Sequence, residues 1–167
     1  MINRAPVLEL WAGCVAKFLY GDLKWETCLS AGAAVAGLCA VAKGRAVGSI
    51  GEKEGGKKDG GEEGGEELDV MGFKLRVKDG VVVVGGDKKK GGEAALKRKF
   101  GDSEYERVKG AFEESLKSWE GKNEELNKRA FHFYETFRPD IAQGQKGWGR
   151  KGELKLEKVR ETVASGA

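Results

Sequence analysis

The stretch from Val81 to Phe100 reads strand, glycine-rich loop, helix, the order in which a helix N-terminus can cradle phosphate. Gly86 and Gly91 even have the spacing of the two glycines in a P-loop. That loop needs a lysine after its second glycine to reach the terminal phosphates, then a serine or threonine for magnesium. Gly92 and Glu93 occupy those positions, and a carboxylate there repels the anion. Nucleotide hydrolysis is therefore disfavoured, and no dinucleotide-binding glycine fingerprint is present either. His132, the single histidine, stands among Phe131, Phe133 and Tyr134. It could act as a general base, but a surface or core-edge position is the plainer reading. Cys14, Cys28 and Cys39 lie in apolar helical patterns, with no CxxC spacing and no histidine nearby in sequence. They read as small packing residues rather than as zinc ligands, nucleophiles or a disulfide framework. The many glutamates fall on linkers and polar helix faces, where nothing desolvates them for acid–base work. No metal, cofactor or catalytic residue is expected.

The positive signal is charge. From Lys74 to Phe100 there are nine basic and three acidic residues, including Lys88, Lys89, Lys90, Lys97, Arg98 and Lys99. From Arg138 to Arg160 there are seven basic and three acidic, including Lys146, Arg150 and Lys151 around Trp148. Such clusters neutralise phosphates and release counterions, which confers non-specific affinity for DNA or RNA. Flexible glycines let backbone approach phosphate, and an exposed Trp148 could stack on a base. Solvated lysine loops, with Trp148 plugging the core, are the competing reading. A helix-turn-helix over Pro6 to Lys43 is not supported, because its second helix offers alanine where a recognition helix offers polar side chains.

The elements that must carry these residues are mostly helical. Pro6 opens a helix to about Leu19 with Val7, Trp11, Cys14, Val15 and Phe18 on one face. Gly21 and Asp22 separate it from a second, from about Lys24 to Lys43, whose surface is unusually small: Ala31, Gly32, Ala33, Ala34, Ala36, Gly37, Ala40 and Ala42. Small side chains admit a close helix neighbour, within the fold or across a homodimer seam at residues 30–42. Phe73, Leu75 and Val77 alternate with Lys74, Arg76 and Lys78, and Asp79-Gly80 is a strong two-residue turn, which predicts a β-hairpin closing at Val84. A second glycine-rich loop is expected from Gly85 to Gly92. Helices follow at Glu93 to Phe100, over the stripe Tyr105, Val108, Phe112, Leu116 and Trp119, and over Leu126, Ala130, Phe133, Tyr134 and Phe137, with Pro139 as the stop. A short extended or helical piece is expected at Leu154 to Val159.

Residues 51–67 contain seven glycines, seven acids and three lysines and no large apolar side chain. They bury too little to offset chain entropy and are expected to form a disordered acidic linker. The linker divides the chain into an N-terminal helical pair (1–50) and a hairpin-plus-helices block (68–167), expected to dock as one unit through Trp11, Phe18, Trp25, Leu38, Phe112, Trp119, Phe133 and Phe137.

Two stretches resemble a family of uncharacterised conserved helical proteins. One runs from Arg4-Ala5-Pro6-Val7 through Leu10-Trp11-Ala12 and Ala34-Val35-Ala36-Gly37-Leu38 to Lys43-Gly44. The other runs from Lys99-Phe100-Gly101 through Tyr134-Glu135-Thr136-Phe137-Arg138-Pro139 to Gly147-Trp148-Gly149 and Gly152-Glu153-Leu154. The resemblance implies no activity, only that the two blocks share one folded unit.

The 167 residues are 40% hydrophobic and 34% charged, with a net charge of +3 and 27 glycines against 2 prolines. An adequate core is affordable, and the small net charge names no partner by itself. The most apolar run, Ala31 to Ala42, is well short of the ~20 residues a bilayer needs, and Arg4 leads into an amphipathic stretch, not a signal peptide. The expectation is therefore an intracellular, cytoplasmic or nuclear protein with no membrane segment. Its fold is expected to be mainly α, a helical bundle with one small β-hairpin. Its function is expected to be non-enzymatic association with nucleic acid. A helical protein–protein or homodimer module, and an enzyme whose site forms only in three dimensions, are the alternatives.

Overall fold

A helix that is apolar on every side must be surrounded, and the first helix, α1 (Arg4–Leu19), meets that condition. In the computed structural model, which describes residues 2–43, 66–84, 87–89, 92–139 and 151–165, Val7, Leu8, Leu10, Trp11, Val15 and Ala16 of α1 have no exposed surface. Pro6 sits in its first turn, where a missing N–H costs nothing. At its other end Lys17 folds back, and Nζ donates to the carbonyls of Gly21 and Leu23 at 3.0 and 2.6 Å. That places a positive charge where the helix dipole favours one.

The tight turn after Tyr20 leads into α2 (Trp25–Lys43), which returns along α1. The approach is set by glycine. A Cβ on Gly32 would lie 2.1 Å from the Glu9 carbonyl oxygen, and one on Gly13 would lie 2.8 Å from a Leu29 methyl. Ala31, Ala34 and Val35 are buried, whereas Gly37 is exposed and Ala33, Ala36 and Leu38 are half-buried. Ala31, Gly32 and Ala34 are thus used inside the fold, on the side that faces α1.

The expected hairpin is present and belongs to a larger sheet. Strands β2 (Glu66–Val70), β3 (Phe73–Lys78), β4 (Val81–Val84) and β5 (Asp87–Lys89) form an antiparallel meander in that order. Both tight turns have two left-handed residues, Met71-Gly72 (φ 56° and 87°) and Asp79-Gly80 (φ 56° and 78°), the geometry that follows the twist of the flanking strands. Two expectations are corrected here. Glu66 and Glu67, assigned to the linker, begin β2, because Leu68 and Val70 alternate inward after them. Asp87, Lys88 and Lys89, assigned to a loop, pair with Val84, Val83 and Val82. Their polar sequence has no strand periodicity, but the open edge of β4 offers backbone partners. The rest of the expected linker, 51–65, lies outside the described residues.

The sheet rests on α2. Thr27 Oγ1 donates to the Gly80 carbonyl at 2.9 Å, and the Val82 N–H donates to Ser30 Oγ at 2.8 Å. At the other tip the Met71 N–H donates to Asn127 Oδ1, Asn127 Nδ2 donates to Asp69 Oδ1 at 3.0 Å, and the Asp69 N–H donates to Tyr20 OH at 2.9 Å.

The remaining helices are α3 (Glu93–Phe100), α4 (Asp102–Leu116), α5 (Asn123–Phe137) and α6 (Leu156–Ser165), with a 3-10 turn at Lys117–Trp119 after α4. Gly101, at φ 90°, separates α3 from α4. Short strands β1 (Ile2–Asn3) and β6 (Lys151–Gly152) pair antiparallel. Trp11 of α1 stands edge-on to Phe112 of α4 and Phe137 of α5, with centroids at 5.1 and 5.2 Å, and its Nε1 donates to the Ala130 carbonyl at 3.0 Å. Trp25 Nε1 donates to Tyr105 OH at 3.1 Å. Trp119 lies against Phe133 and donates to the Val163 carbonyl of α6 at 2.9 Å. The short extended or helical piece expected at Leu154 to Val159 is a helix that starts at Leu156 and runs on to Ser165, with Val159 and Val163 fully buried. No helix among the described residues is long and apolar enough to cross a membrane.

Candidate nucleic-acid interface

The period of two along β3 sorts its side chains by face. Leu75 and Val77 are buried against the helices, and Lys74, Arg76 and Lys78 alternate with them on the outer face. The pairing register extends that face across the sheet, since directly opposed residues share a side. Glu67 and Asp69 of β2 oppose Arg76 and Lys74. Val83 and Val81 of β4 oppose Arg76 and Lys78, and both are half-buried. Lys88 holds the register position opposite Val83. From edge to edge the register therefore runs carboxylate row, cation row, valine row, then the backbone position of Lys88 on β5. Neighbouring rows are about 4.8 Å apart, and successive cations along β3 about 6.7 Å apart. Lys74 Nζ is 3.7 Å from Asp69 Oδ2 with both groups open to solvent, a contact worth at most about 1 kcal/mol.

The other expected basic residues are distributed differently. Lys89 opposes Val82, and Lys151 opposes Asn3 in the β1–β6 pair. Lys97 is 3.9 Å from Glu106 and stands over the Tyr105 ring at 5.7 Å. Lys99 is 3.7 Å from the buried Glu9. Arg98 is exposed. Lys97, Arg98 and Lys99 form the last turn of α3, where three cations complement the helix's negative end, so part of this cluster is explained by the fold. Lys90, Lys146, Trp148 and Arg150 lie outside the described residues. The register thus sets Lys74, Arg76 and Lys78 in one row and puts Lys88 two strands away on β5, while Lys97 and Lys99 stand in ion pairs, as Lys74 does with Asp69. The three β3 cations were not singled out from sequence as contacts. Their alternation, which predicts the hairpin, also assigns them one face.

The chemistry tested from sequence fares as follows. All three cysteines are buried free thiols. Burial raises the Cys14 thiol well above its usual range and pushes Cys28 up to about 11, so neither supplies a thiolate at neutral pH. His132 is exposed. The buried carboxyl, Glu9, lies on α1 and is raised by desolvation, partly offset by Lys99. An open cleft of about 1010 Å³ lies beside Cys14, Phe18, Glu113, Leu116 and Glu124. Its lining includes neither His132, Arg138 nor Glu9, the groups that an enzyme reading would gather. Among the described residues no three His, Cys, Asp or Glu side chains cluster as metal ligands.

Glu93 explains why the P-loop-like segment carries an acid. Tyr105 OH donates to Glu93 Oε2 at 2.9 Å, the Glu93 N–H donates to Glu26 Oε2 at 3.3 Å, and Lys109 Nζ lies 4.0 Å from Glu93 Oε2. Glu93 thus ties α3 to α4 through its carboxylate and to α2 through its backbone N–H.

No protein-family model, curated protein or solved structure matches this chain. The family resemblance gains nothing from these comparisons, and the functional reading rests on the geometry alone.

Proposed function

We propose that this chain is a non-enzymatic, nucleic-acid-associated module that holds the phosphate backbone of DNA or RNA without sequence selection. The observation that supports it most is the register of the meander, which gathers Lys74, Arg76 and Lys78 in a row on one face of β3, with Lys88 two strands away on β5. A row of cations that neutralises phosphates releases the counterions condensed on the polyanion, which yields affinity that depends on salt, not on sequence. Lys89, Lys90, Lys97, Arg98, Lys99, Lys146, Trp148, Arg150 and Lys151 stay part of the proposal on the charge pattern of the sequence alone. Three buried thiols suit an intracellular setting, cytoplasmic or nuclear.

The test is titration of the protein with labelled DNA and RNA at low and physiological salt, beside a variant with charge reversal at Lys88, Lys89 and Lys90. Affinity is expected to fall as salt rises, with a log–log slope of roughly −0.7 per phosphate contact on a single strand, and to fall further in the variant. Salt-independent binding, or none at low salt, removes the reading.

The second reading, a homodimer or protein-interaction module through residues 30–42, draws on exposed Gly37 and half-buried Ala33, Ala36 and Leu38. It has less surface to work with, because Ala31, Gly32, Ala34 and Val35 are already covered. Light scattering of Ala36→Leu beside the native chain decides it. A dimer that the bulkier side chain splits supports this reading, and an unchanged monomer removes it.

A further inference from the structure

We infer that the outer face of the meander takes an extended single strand of nucleic acid, laid along β3 with its phosphates on Lys74, Arg76 and Lys78 and its bases over Val81 and Val83. This rests on the nucleic-acid reading above and narrows it to one ligand form and one orientation.

The arrangement of rows carries the argument. A duplex presents two phosphate walls on either side of a groove, and a protein that straddles it needs cations on both sides. Here the cation row is flanked on one side by carboxylates, Glu67 opposite Arg76 and Asp69 opposite Lys74. Those carboxylates, one strand spacing of about 4.8 Å from the cations, repel any second backbone laid across that side. Asp69 is held in place by Asn127 at 3.0 Å, so this repulsion is built in. On the other side the neighbours of the cations are Val81 and Val83, uncharged and half-buried. A single strand has one charged edge and one largely apolar edge of sugar and base. Its charged edge matches β3 and its apolar edge matches β4, and the carboxylate row prevents the reverse placement. The cation spacing of about 6.7 Å suits the stretched phosphate repeat of such a strand.

The same face explains what kind of selectivity to expect. Among its described residues there is no aromatic ring on which a base could stack. Valine contacts accept any base, so the ligand is a strand of any sequence, and binding is weaker than on stacking platforms.

The experiment uses the full chain and four probes at low salt. These are a labelled oligothymidylate of about twelve nucleotides, a hairpin duplex of equal charge, inorganic polyphosphate, and vesicles of phosphatidylserine and phosphatidylcholine. The single strand is expected to bind about tenfold more tightly than the duplex. Lys74→Glu with Lys78→Glu should abolish that binding and Arg98→Glu should retain it, with circular dichroism confirming that each variant folds. Glu67→Gln should tighten single-strand binding, because it removes a like charge beside Arg76. Val83→Thr should weaken the oligonucleotide but leave polyphosphate unchanged. Equal or tighter duplex binding, indifference to the β3 reversals, polyphosphate responding to Val83→Thr as the oligonucleotide does, or preference for vesicles each overturns the inference. The first two leave nucleic-acid binding standing elsewhere on the molecule, whereas failure of both nucleic-acid probes at low salt overturns the broader reading as well.

Discussion

Gly32 faces the Glu9 backbone where α1 and α2 approach closely, and each shows how one residue constrains the fold. A methyl group at position 32 would lie 2.1 Å from the Glu9 carbonyl oxygen. That neighbour is backbone and cannot turn aside, so the helices would have to separate. Gly32→Ala is expected to destabilise the protein by about 1–3 kcal/mol, the usual cost of overpacking, read as a lower denaturant midpoint. An unchanged midpoint would mean that α1 and α2 do not approach as described. The Glu9 carboxyl is raised from its ordinary 4.5 first by desolvation, with Lys99 pulling the other way. A group whose folded value is raised binds its proton more tightly in the folded state. Its contribution to stability is therefore complete below pH 4.5 and is lost as pH rises through the raised value. Glu9→Gln should gain on the native chain across that window and hold its advantage above it. Denaturation of both chains over a pH series checks this, and a difference that does not vary with pH would count against it.

At the scale of elements, side-chain bonds from α2 and α5 fix the sheet where hydrophobic area alone would let it slide. Ser30 Oγ accepts the Val82 N–H, and Val82 is fully buried. Removing that acceptor leaves a buried donor unpaired, which costs about 1–3 kcal/mol. Ser30→Ala is expected to show that loss together with faster hydrogen exchange at the Val82 amide. If stability falls and the amide stays protected, the loss has another source. The hairpin itself was legible from alternation in Phe73–Lys78 and from Asp79-Gly80. The second turn was not, because Met71 is a rare choice for a left-handed position. It is held there by Asn127, a helix residue 56 positions later, and no local pattern announces such a partner. The candidate interface divides in the same way. Lys88 stood out as part of a lysine run, while Lys74, Arg76 and Lys78 looked like the polar half of an ordinary strand.

At the scale of the molecule, α1 is the element that packs against both the helical block and the first strands. It touches α2, α3, α4, α5, β1 and β2, and Trp11 is enclosed by rings from α4 and α5. A fragment of residues 1–50 would expose that surface, so it is expected to stay unfolded or aggregate alone and to gain helical signal when mixed with residues 68–167. A fragment that folds cooperatively by itself would show that the helical pair is a domain. The helices were readable because their stripes of apolar residues recur at helical spacing. The first of them, α1, read as amphipathic with one apolar face, and its burial on nearly every side emerged only in the fold. The cysteines' role as packing residues followed from their apolar neighbours. What only the tertiary structure decided was partnership. It set which face of the alanine-rich helix is consumed by α1, which lysines are drawn into pairs by Glu9 and Glu106, and which strand lies beside the cation row. Periodicity is a property of neighbours along the chain and survives in the sequence. Register, close approach and charge pairing depend on residues that folding alone brings together.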